Sequence, residues 1–357
     1  MNGTALFARD DFSSLKELLA EEKEVFLIYD RNVEWAAEDI RSRVDIRAAM
    51  AIDASEAVKT MDTVLTICRF LLENNADRKA LVLALGGGIT TDMAGFASLI
   101  YKRGVRYANL PTTLLSQVDA GIGGKTGVNF DGYKNILGRI QQPEFVYCAL
   151  KALDTLPDAD YRSGLAEMLK TFIISDAPHY RRAMSFVRGG RQLEDWSGNV
   201  IKSAPGERVD CELIQAAAQI KCGVVERDEF ETGERRVLNL GHTIGHAVEW
   251  WQAEVAAPRQ YSHGEAVAIG IIAAAKVSEV LGVCKKGLAA QLEADFEAAG
   301  LPTECPAPAS AIENAIRRDK KAEGDSVHFV LIKEIGKVEV RLMPVEDIIH
   351  FLETASI

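Results

Sequence analysis

Ala80-Leu81-Val82-Leu83-Ala84-Leu85 runs directly into Gly86-Gly87-Gly88-Ile89-Thr90-Thr91-Asp92. Six consecutive apolar residues suit a strand buried on both faces, as in a parallel sheet covered by helices. The glycines then lead into a helical pattern over residues 94–101, so the stretch reads strand, turn, helix. Glycines between a strand end and a helix start let backbone N–H groups wrap an anion that the helix N-terminus attracts. The spacing is not G-x-G-x-x-G, and a tight turn needed only for packing is the alternative reading. In an open α/β sheet such a site lies at the carboxyl ends of the strands.

Working outward, residues 13–23 read as a helix and residues 24–30 as a buried strand. A helix follows over about 57–75, with Met61, Val64, Leu65, Cys68, Leu71 and Leu72 on one face. Strand, helix and strand repeat, which predicts a doubly wound α/β domain. Downstream lie Arg103-Gly104-Val105-Arg106, Leu110-Pro111-Thr112-Thr113, and a segment over 117–129 in which glycine pairs flank Lys125. Such a loop suits close approach to an anion by backbone and ammonium, with a solvated surface loop as the alternative. A boundary is expected near Thr155-Leu156-Pro157, after which the period is mostly helical.

Helices are expected over 212–225, 264–280 and 287–299, with a further one closed by Arg317-Arg318-Asp319-Lys320-Lys321. Residues 186–210 read as a loop or hairpin insertion, and 327–332 with 338–342 as a small hairpin. Ser163-Gly164-Leu165-Ala166-Glu167-Met168-Leu169-Lys170 places Glu167 and Lys170 at i and i+3. An exposed ion pair, worth a few tenths of a kcal/mol, is the plain reading of that spacing.

Leu238-Asn239-Leu240-Gly241-His242-Thr243-Ile244-Gly245-His246-Ala247-Val248-Glu249 carries two of the six histidines at i and i+4. On a helix that spacing puts both imidazoles on one face, about 5–6 Å apart at Cβ. Gly241 and Gly245 are poor helix formers, so the stretch needs its backbone close to something. A hydrogen-bonded core pair is one reading. A third His follows in Tyr261-Ser262-His263-Gly264-Glu265, and three converging donors are the usual protein ligands of a catalytic zinc. Spacing alone makes His242 and His246 both ligands. No Glu follows the first His, so the zinc-protease mechanism is not indicated.

Composition bounds the function. The chain has 357 residues, room for two domains, with 48% apolar and 26% charged residues, as in a soluble globular protein. A net charge of −11 argues against a nucleic-acid surface but permits a local basic pocket. Six cysteines (68, 148, 211, 222, 284, 305) without C-x-x-C spacing fit reduced cytosolic thiols. No signal peptide is visible and no apolar run is long enough to span a bilayer, so the expected location is the cytoplasm.

Together these motifs resemble the 3-dehydroquinate synthase family of sugar phosphate cyclases. The pieces that carry the resemblance are GGGITTDMAGF at 86–96, RGV at 103–105, LPTTLLSQVDAGIGGKTGVN at 110–129 and KN at 134–135. SGLAEMLK at 163–170, LNLGHTIGHAVE at 238–249, SHGEA at 262–266 and RDKK at 318–321 complete it. The chain departs from the family's usual residues at Ser55, Thr90-Thr91 and Gly138-Arg139-Ile140.

The resemblance implies an α/β fold with a Rossmann-like NAD-binding domain over 1–155 and a mainly α-helical metal- and substrate-binding domain over 156–357. It implies a zinc ion, with cobalt as a possible substitute, on Glu167, His242 and His263. His246 then meets the substrate phosphate, against the spacing argument. NAD would lie against Gly86, Gly87, Gly88, Asp92, Thr112, Thr113, Asp119, Lys125, Lys134, Leu153 and Thr155, with ribose contacts from Glu56 and Lys59. Substrate would be held by Lys125, Asn135, Lys170, Lys221, Arg235, Asn239 and Lys320. Arg103 would reach the phosphate bound by a neighbouring subunit, which implies a homodimer.

The implied reaction converts 3-deoxy-D-arabino-heptulosonate 7-phosphate to 3-dehydroquinate and phosphate. A ring hydroxyl is transiently oxidised against NAD, phosphate is eliminated, the ketone is reduced again, and an intramolecular aldol closes the carbocycle. Another C7 sugar phosphate is the nearest alternative substrate. A metal-dependent polyol dehydrogenase shares the general architecture but needs fewer basic residues and accumulates NADH. A non-catalytic NAD-binding relative would not need every one of these residues.

Overall fold

A computed structural model describes residues 4–189, 193–194, 200–201, 208–257, 259–318 and 325–354. The chain forms two compact units, one of Met1–Pro157 with Asp210–Cys222 and one of Asp158–Val209 with Gly223–Ile357. The division expected at residue 155 put 210–222 in the second domain. They group with the first because Lys221 and Cys211 bond to Asp119 and Asp10.

The first unit runs β1 (Ala5–Arg9), the single turn α1 (Leu15–Leu18), β2 (Val25–Asp30), α2 (Glu34–Arg43), β3 (Ala48–Ile52) and α3 (Met61–Glu73). It continues through β4 (Leu81–Gly86), α4 (Gly88–Ile100), β5 (Arg106–Pro111), the hairpin strands β6 (Lys125–Phe130) and β7 (Tyr133–Ile140), and β8 (Phe145–Ala149). Six strands form one all-parallel sheet in the order β1-β8-β5-β4-β2-β3. Successive side chains of a strand point to opposite faces. Leu81, Leu83 and Leu85 therefore share a core with Ala36, Ala37 and Ile40 of α2. Val82 and Ala84 pack with Val64, Ile67 and Leu71 of α3 and Met93, Ala94 and Ala97 of α4. Two covered faces account for the unbroken apolar run.

Two expected helices are cut short. Over 13–23 only one turn of α-helix forms, because the chain closes into turns after Leu18 (Glu22 N–H to Leu19 O, 3.0 Å) and enters β2. The helix expected over 57–75 divides at Lys59, whose backbone is non-helical between a 3₁₀ turn over Glu56–Val58 and α3. The Thr60 hydroxyl then caps α3 by accepting from Thr63 N–H.

In the second unit α5 (Asp158–Ser175) and α6 (Ala177–Val187) precede a hairpin of β9 (Leu193–Glu194) and β10 (Val200–Ile201), on the stretch expected to be an insertion. The rest of 190–207 lies outside the described residues. Then come α7 (Cys211–Arg227), which starts in the first unit, α8 (His242–Glu254), α9 (His263–Val280), α10 (Leu288–Ala298) and α11 (Ala309–Arg318). A hairpin of β11 (Ser326–Glu334) and β12 (Lys337–Pro344) and α12 (Val345–Thr354) complete the unit.

Helix α9 is buried along nearly its whole length, from Gly264 through Ser278, and is the core of this unit. A capping box starts it: the Ser262 hydroxyl accepts from Glu265 N–H at 3.3 Å, and the Glu265 carboxylate accepts from Ser262 N–H at 2.8 Å. His263 is thereby fixed as its first residue. Gly241, at φ +79°, does the same for His242 at the start of α8.

The close approach expected at the histidine glycines is to α9. A Cβ at Gly241 would lie 2.7 Å from Val267 O, and one at Gly270 would lie 1.9 Å from Gly241 O. Gly264 meets α5 in the same way, its N–H donating to Ser163 Oγ at 3.0 Å. Backbone-on-backbone contact thus sets α5, α8 and α9 together. No helix among the described residues is long and apolar enough to cross a membrane.

Candidate active site

Helices α5, α8 and α9 each contribute one side chain to a cluster in the second unit. Ligand atoms of Glu167, His242 and His263 all lie within 4.8 Å of one another. His242 Nε2 is 3.7 Å and His263 Nε2 is 3.5 Å from Glu167 Oε1, too long for hydrogen bonds. Two ligands at about 2.1 Å from a tetrahedral ion stand roughly 3.4 Å apart, which is close to that spacing.

Glu167 is fully buried and neither carboxylate oxygen has a well-placed hydrogen-bond donor. The other imidazole nitrogens are occupied, His242 Nδ1 at Leu240 O (3.2 Å) and His263 Nδ1 at Glu249 Oε2 (3.3 Å). With the Nδ1 atoms so engaged, the Nε2 atoms turn toward Glu167, as in metal-binding histidines. The donor set fits a divalent cation.

The buried Lys170 ammonium sits against Glu167 Oε2. The pair is interior, with side chains 1% and 0% exposed, so it is no surface ion pair. Burial alone would raise the Glu167 pKa, but Lys170 and His263 outweigh it and hold the carboxyl at about 2. Burial, with Lys170 and His263 nearby, keeps His242 well below its ordinary value, so it is neutral at pH 7. His246 stands one turn along α8 with its ring centroid 5.2 Å from that of His242, outside the Glu167 group.

Arg235 is 3% exposed, and the loop before it is organised by Asp228. The Asp228 carboxylate accepts from the N–H groups of Arg235 (3.0 Å), Thr232 (2.9 Å) and Gly233 (2.7 Å), which hold its pKa down at about 2. Asn239 donates to Glu231 Oε1 at 2.7 Å. Asp228, Glu231 and Glu249 were not singled out from sequence. The available signals were an Asp four residues before a Thr-Gly turn and a Glu at i+3 from His246.

In the first unit α4 starts at Gly88, so residues 89–92 form its first turns and not a loop. No side chain caps this helix end. A Cβ at Gly87 would lie 3.1 Å from Thr113 and one at Gly88 3.0 Å from Ala120, so the turn is tight where bare N–H groups are presented. Thr90 is buried over Gly86, and the Thr91 hydroxyl donates to Gly88 O, so both departures from the family pattern pack locally. Thr112 N–H donates to Gly86 O at 2.9 Å.

Asp119 lies in a π-helical turn over Ser116–Ala120, a geometry frequent at functional sites. Its carboxylate and carbonyl both accept from Lys221 Nζ, at 2.6 and 2.7 Å. Lys59, 5% exposed, donates to Asp92 Oδ2 and Asn135 Oδ1, both at 2.6 Å. Asn129 ties in Glu56 and the Asn135 backbone. Lys59, Asp92, Asn135 and Glu56 are therefore one bonded group, as are Asp119 and Lys221. Lys125, Lys134, Arg103 and Thr155 are exposed and Leu153 is buried. Lys320 lies outside the described residues.

Asp92 has a testable signature. Burial pushes its pKa up to about 6, with the Lys59 ammonium opposing. A carboxyl raised above its unfolded value favours the fold while protonated, so its contribution is present below pH 4 and is lost as pH rises through 6. About two pKa units correspond to roughly 3 kcal/mol. Asp92→Asn should remove a loss of that order from the stability difference between pH 4 and 7, read from urea unfolding. An unchanged slope would show that Asp92 is not desolvated.

Two family models match in succession, 3-dehydroquinate synthase N-terminal over residues 49–163 and 3-dehydroquinate synthase C-terminal over 164–322. The 3-dehydroquinate synthase of Acidithiobacillus ferrooxidans is 39% identical over 293 residues, covering 82% of this chain and 76% of that one. That of Legionella pneumophila is 37% identical over 301 residues, covering 84% and 77%.

The chain belongs to the 3-dehydroquinate synthase family.

Solved structures share the fold beyond that family. A 2-epi-5-epi-valiolone synthase from Streptomyces hygroscopicus, with NAD+ and Zn2+ bound, superposes with a TM-score of 0.80 at 24% identity, covering 100% of this chain and 97% of that one. A probable glycerol dehydrogenase from Sinorhizobium meliloti reaches 0.59 at 15% identity, covering 99% and 97%. The 3-dehydroquinate synthase models match this chain in sequence, whereas the dehydrogenase likeness, at 15% identity, is one of fold alone.

Proposed function

We propose that the chain is a 3-dehydroquinate synthase, a lyase that converts 3-deoxy-D-arabino-heptulosonate 7-phosphate to 3-dehydroquinate and phosphate with NAD and one divalent metal ion. Family membership supports the reaction. The observation that carries the chemistry is the Glu167–His242–His263 donor set, built on a fully buried carboxylate with Lys170 against it.

Glu167, His242 and His263 would hold the metal, zinc or cobalt, which when bound polarises a substrate oxygen. The uncapped N-terminus of α4, with Gly86, Gly87 and Gly88, would hold the NAD pyrophosphate, and NAD accepts and returns one hydride in each turnover. Asp92, Thr112, Thr113, Asp119, Lys134, Leu153 and Thr155 remain the proposed cofactor contacts.

Lys59 and Glu56 act toward the ribose through the group they form with Asp92 and Asn129. Lys170 balances the Glu167 charge, so the metal's positive charge is left for an anionic substrate. Lys125, Asn135, Lys170, Lys221, Arg235, Asn239, His246 and Lys320 are the proposed substrate contacts. Arg and Lys suit a carboxylate and a phosphate. Phosphate itself, with a second pKa near 6, can take the proton as it leaves.

The protein is proposed to act in the cytoplasm as a homodimer. Arg103, exposed at φ +69°, is the side chain offered to a neighbouring subunit.

The test gives the zinc-loaded protein NAD and the heptulosonate phosphate, and follows phosphate and 3-dehydroquinate together. Both should form in equal amounts without net NADH. Steady NADH production from a polyol, or no phosphate release from folded protein, would defeat the reading.

A further inference from the structure

We propose that Glu249 is a positioning residue for His263, and that the hydrogen bond it accepts sets the affinity of the metal site. The inference rests on Glu167, His242 and His263 being the metal ligands. An imidazole that gives its Nε2 lone pair to a cation must carry its hydrogen on Nδ1. His263 has Nε2 toward Glu167 and Nδ1 3.3 Å from Glu249 Oε2, so Glu249 accepts from the hydrogen that this tautomer requires. The His263 and Glu249 side chains are 32% and 18% exposed, so the contact is partly shielded from water.

The two histidines differ in how they are held. His242 Nδ1 faces a backbone carbonyl, Leu240 O, which no substitution removes, whereas His263 relies on a side chain. Glu249 lies on α8, the helix that His242 begins, so one helix provides a ligand and orients another on α9.

His246, Glu249 and His263 also lie within 4.8 Å of one another and could be taken for a separate cation site. That site would share His263 with the Glu167 group. Filling both would strip both ring hydrogens from one imidazole, so the geometry favours one cation per chain with Glu249 behind the ligand.

The experiment is zinc competition against a chromophoric chelator, with the cobalt absorption spectrum as a second readout, on wild type, Glu249→Ala, Glu249→Gln and Glu167→Gln. Glu249→Ala should bind zinc about 10- to 100-fold more weakly, the usual cost of losing such a partner. Glu249→Gln keeps the shape and an acceptor oxygen and should recover most of the affinity, which a purely structural defect would not do. Its cobalt spectrum should stay close to that of wild type.

Wild-type zinc affinity in both Glu249 variants would overturn the proposal, and two zinc ions per wild-type chain would overturn it in favour of a separate site. If Glu249→Ala folds poorly, Glu249→Gln against wild type decides by the spectrum, a grossly altered one counting against a hydrogen-bonding role. Glu167→Gln separates the levels. Wild-type zinc binding there would fell the metal reading itself, while loss there with none in the Glu249 variants would fell only the role of Glu249.

Discussion

Glu167→Gln should lower turnover by at least about 10³-fold while leaving NAD affinity within a few-fold of wild type. A metal acting as a Lewis acid contributes several kcal/mol, and each 1.36 kcal/mol is tenfold in rate. Gln keeps the size of Glu167 but withdraws the anionic donor that His242 and His263 face. The residues proposed for NAD belong to the first unit, so dye displacement by NAD serves as the control.

Stability should fall too. Lys170, 1% exposed, would lose its counter-charge, and breaking a buried pair costs on the order of 3–5 kcal/mol. Replacing both members, as Glu167→Leu with Lys170→Met, should restore much of the stability and none of the turnover. Turnover within tenfold of wild type in Glu167→Gln would remove that carboxylate from the metal.

Gly270→Ala should be among the most damaging single methyl groups that can be added to α9, with Gly264→Ala. Its Cβ would sit 1.9 Å from Gly241 O, a backbone atom that cannot swing aside like a side chain. Overpacking of a core typically costs 1–3 kcal/mol and more when backbone must shift, so a loss of about 3 kcal/mol or more is expected. Because Gly241 immediately precedes His242, the shift should reach the metal ligands, and zinc affinity should drop with the melting temperature. Gly223→Ala in α7 is the comparison. Its Cβ would meet only the end of the Arg227 side chain at 3.2 Å, and Ala favours a helix by up to about 1 kcal/mol. Equal effects of the two substitutions would show that close packing at Gly270 is unimportant.

These two sites differ in how far they could be read from sequence. Strand β4 and the helix after its glycines were legible because one strand buried on both faces leaves a continuous apolar run. The edge strands β1 and β3 were not. Ala48-Ala49-Met50-Ala51-Ile52 is mostly partly exposed, and its small side chains carry little pattern. Gly241 and Gly245 signalled close backbone approach, but only the fold shows that α9 is what approaches.

The histidine spacing located the cluster but pairs His242 with His246, which sit on one helix face, whereas the groups of side chains that the structure brings within 4.8 Å separate them. The structure instead groups residues from three helices, which no local spacing encodes. Glu167 and Lys170 illustrate the same gap, because a spacing typical of solvated ion pairs occurs here on a turn of α5 buried on every side. The resemblance to a family supplied the grouping that periodicity could not.

The parallel pairing of β1 with β8 bears on how the chain acquires its fold. Ala5 is paired in register with Phe145, so β1 has no partner until nearly the whole sheet-forming unit has been made. At 5–20 residues per second that delay is on the order of ten seconds, during which the strand depends on other means to stay soluble. Its short sequence, with two alanines and Arg9 beside Leu6 and Phe7, limits the sticky surface it offers while it waits.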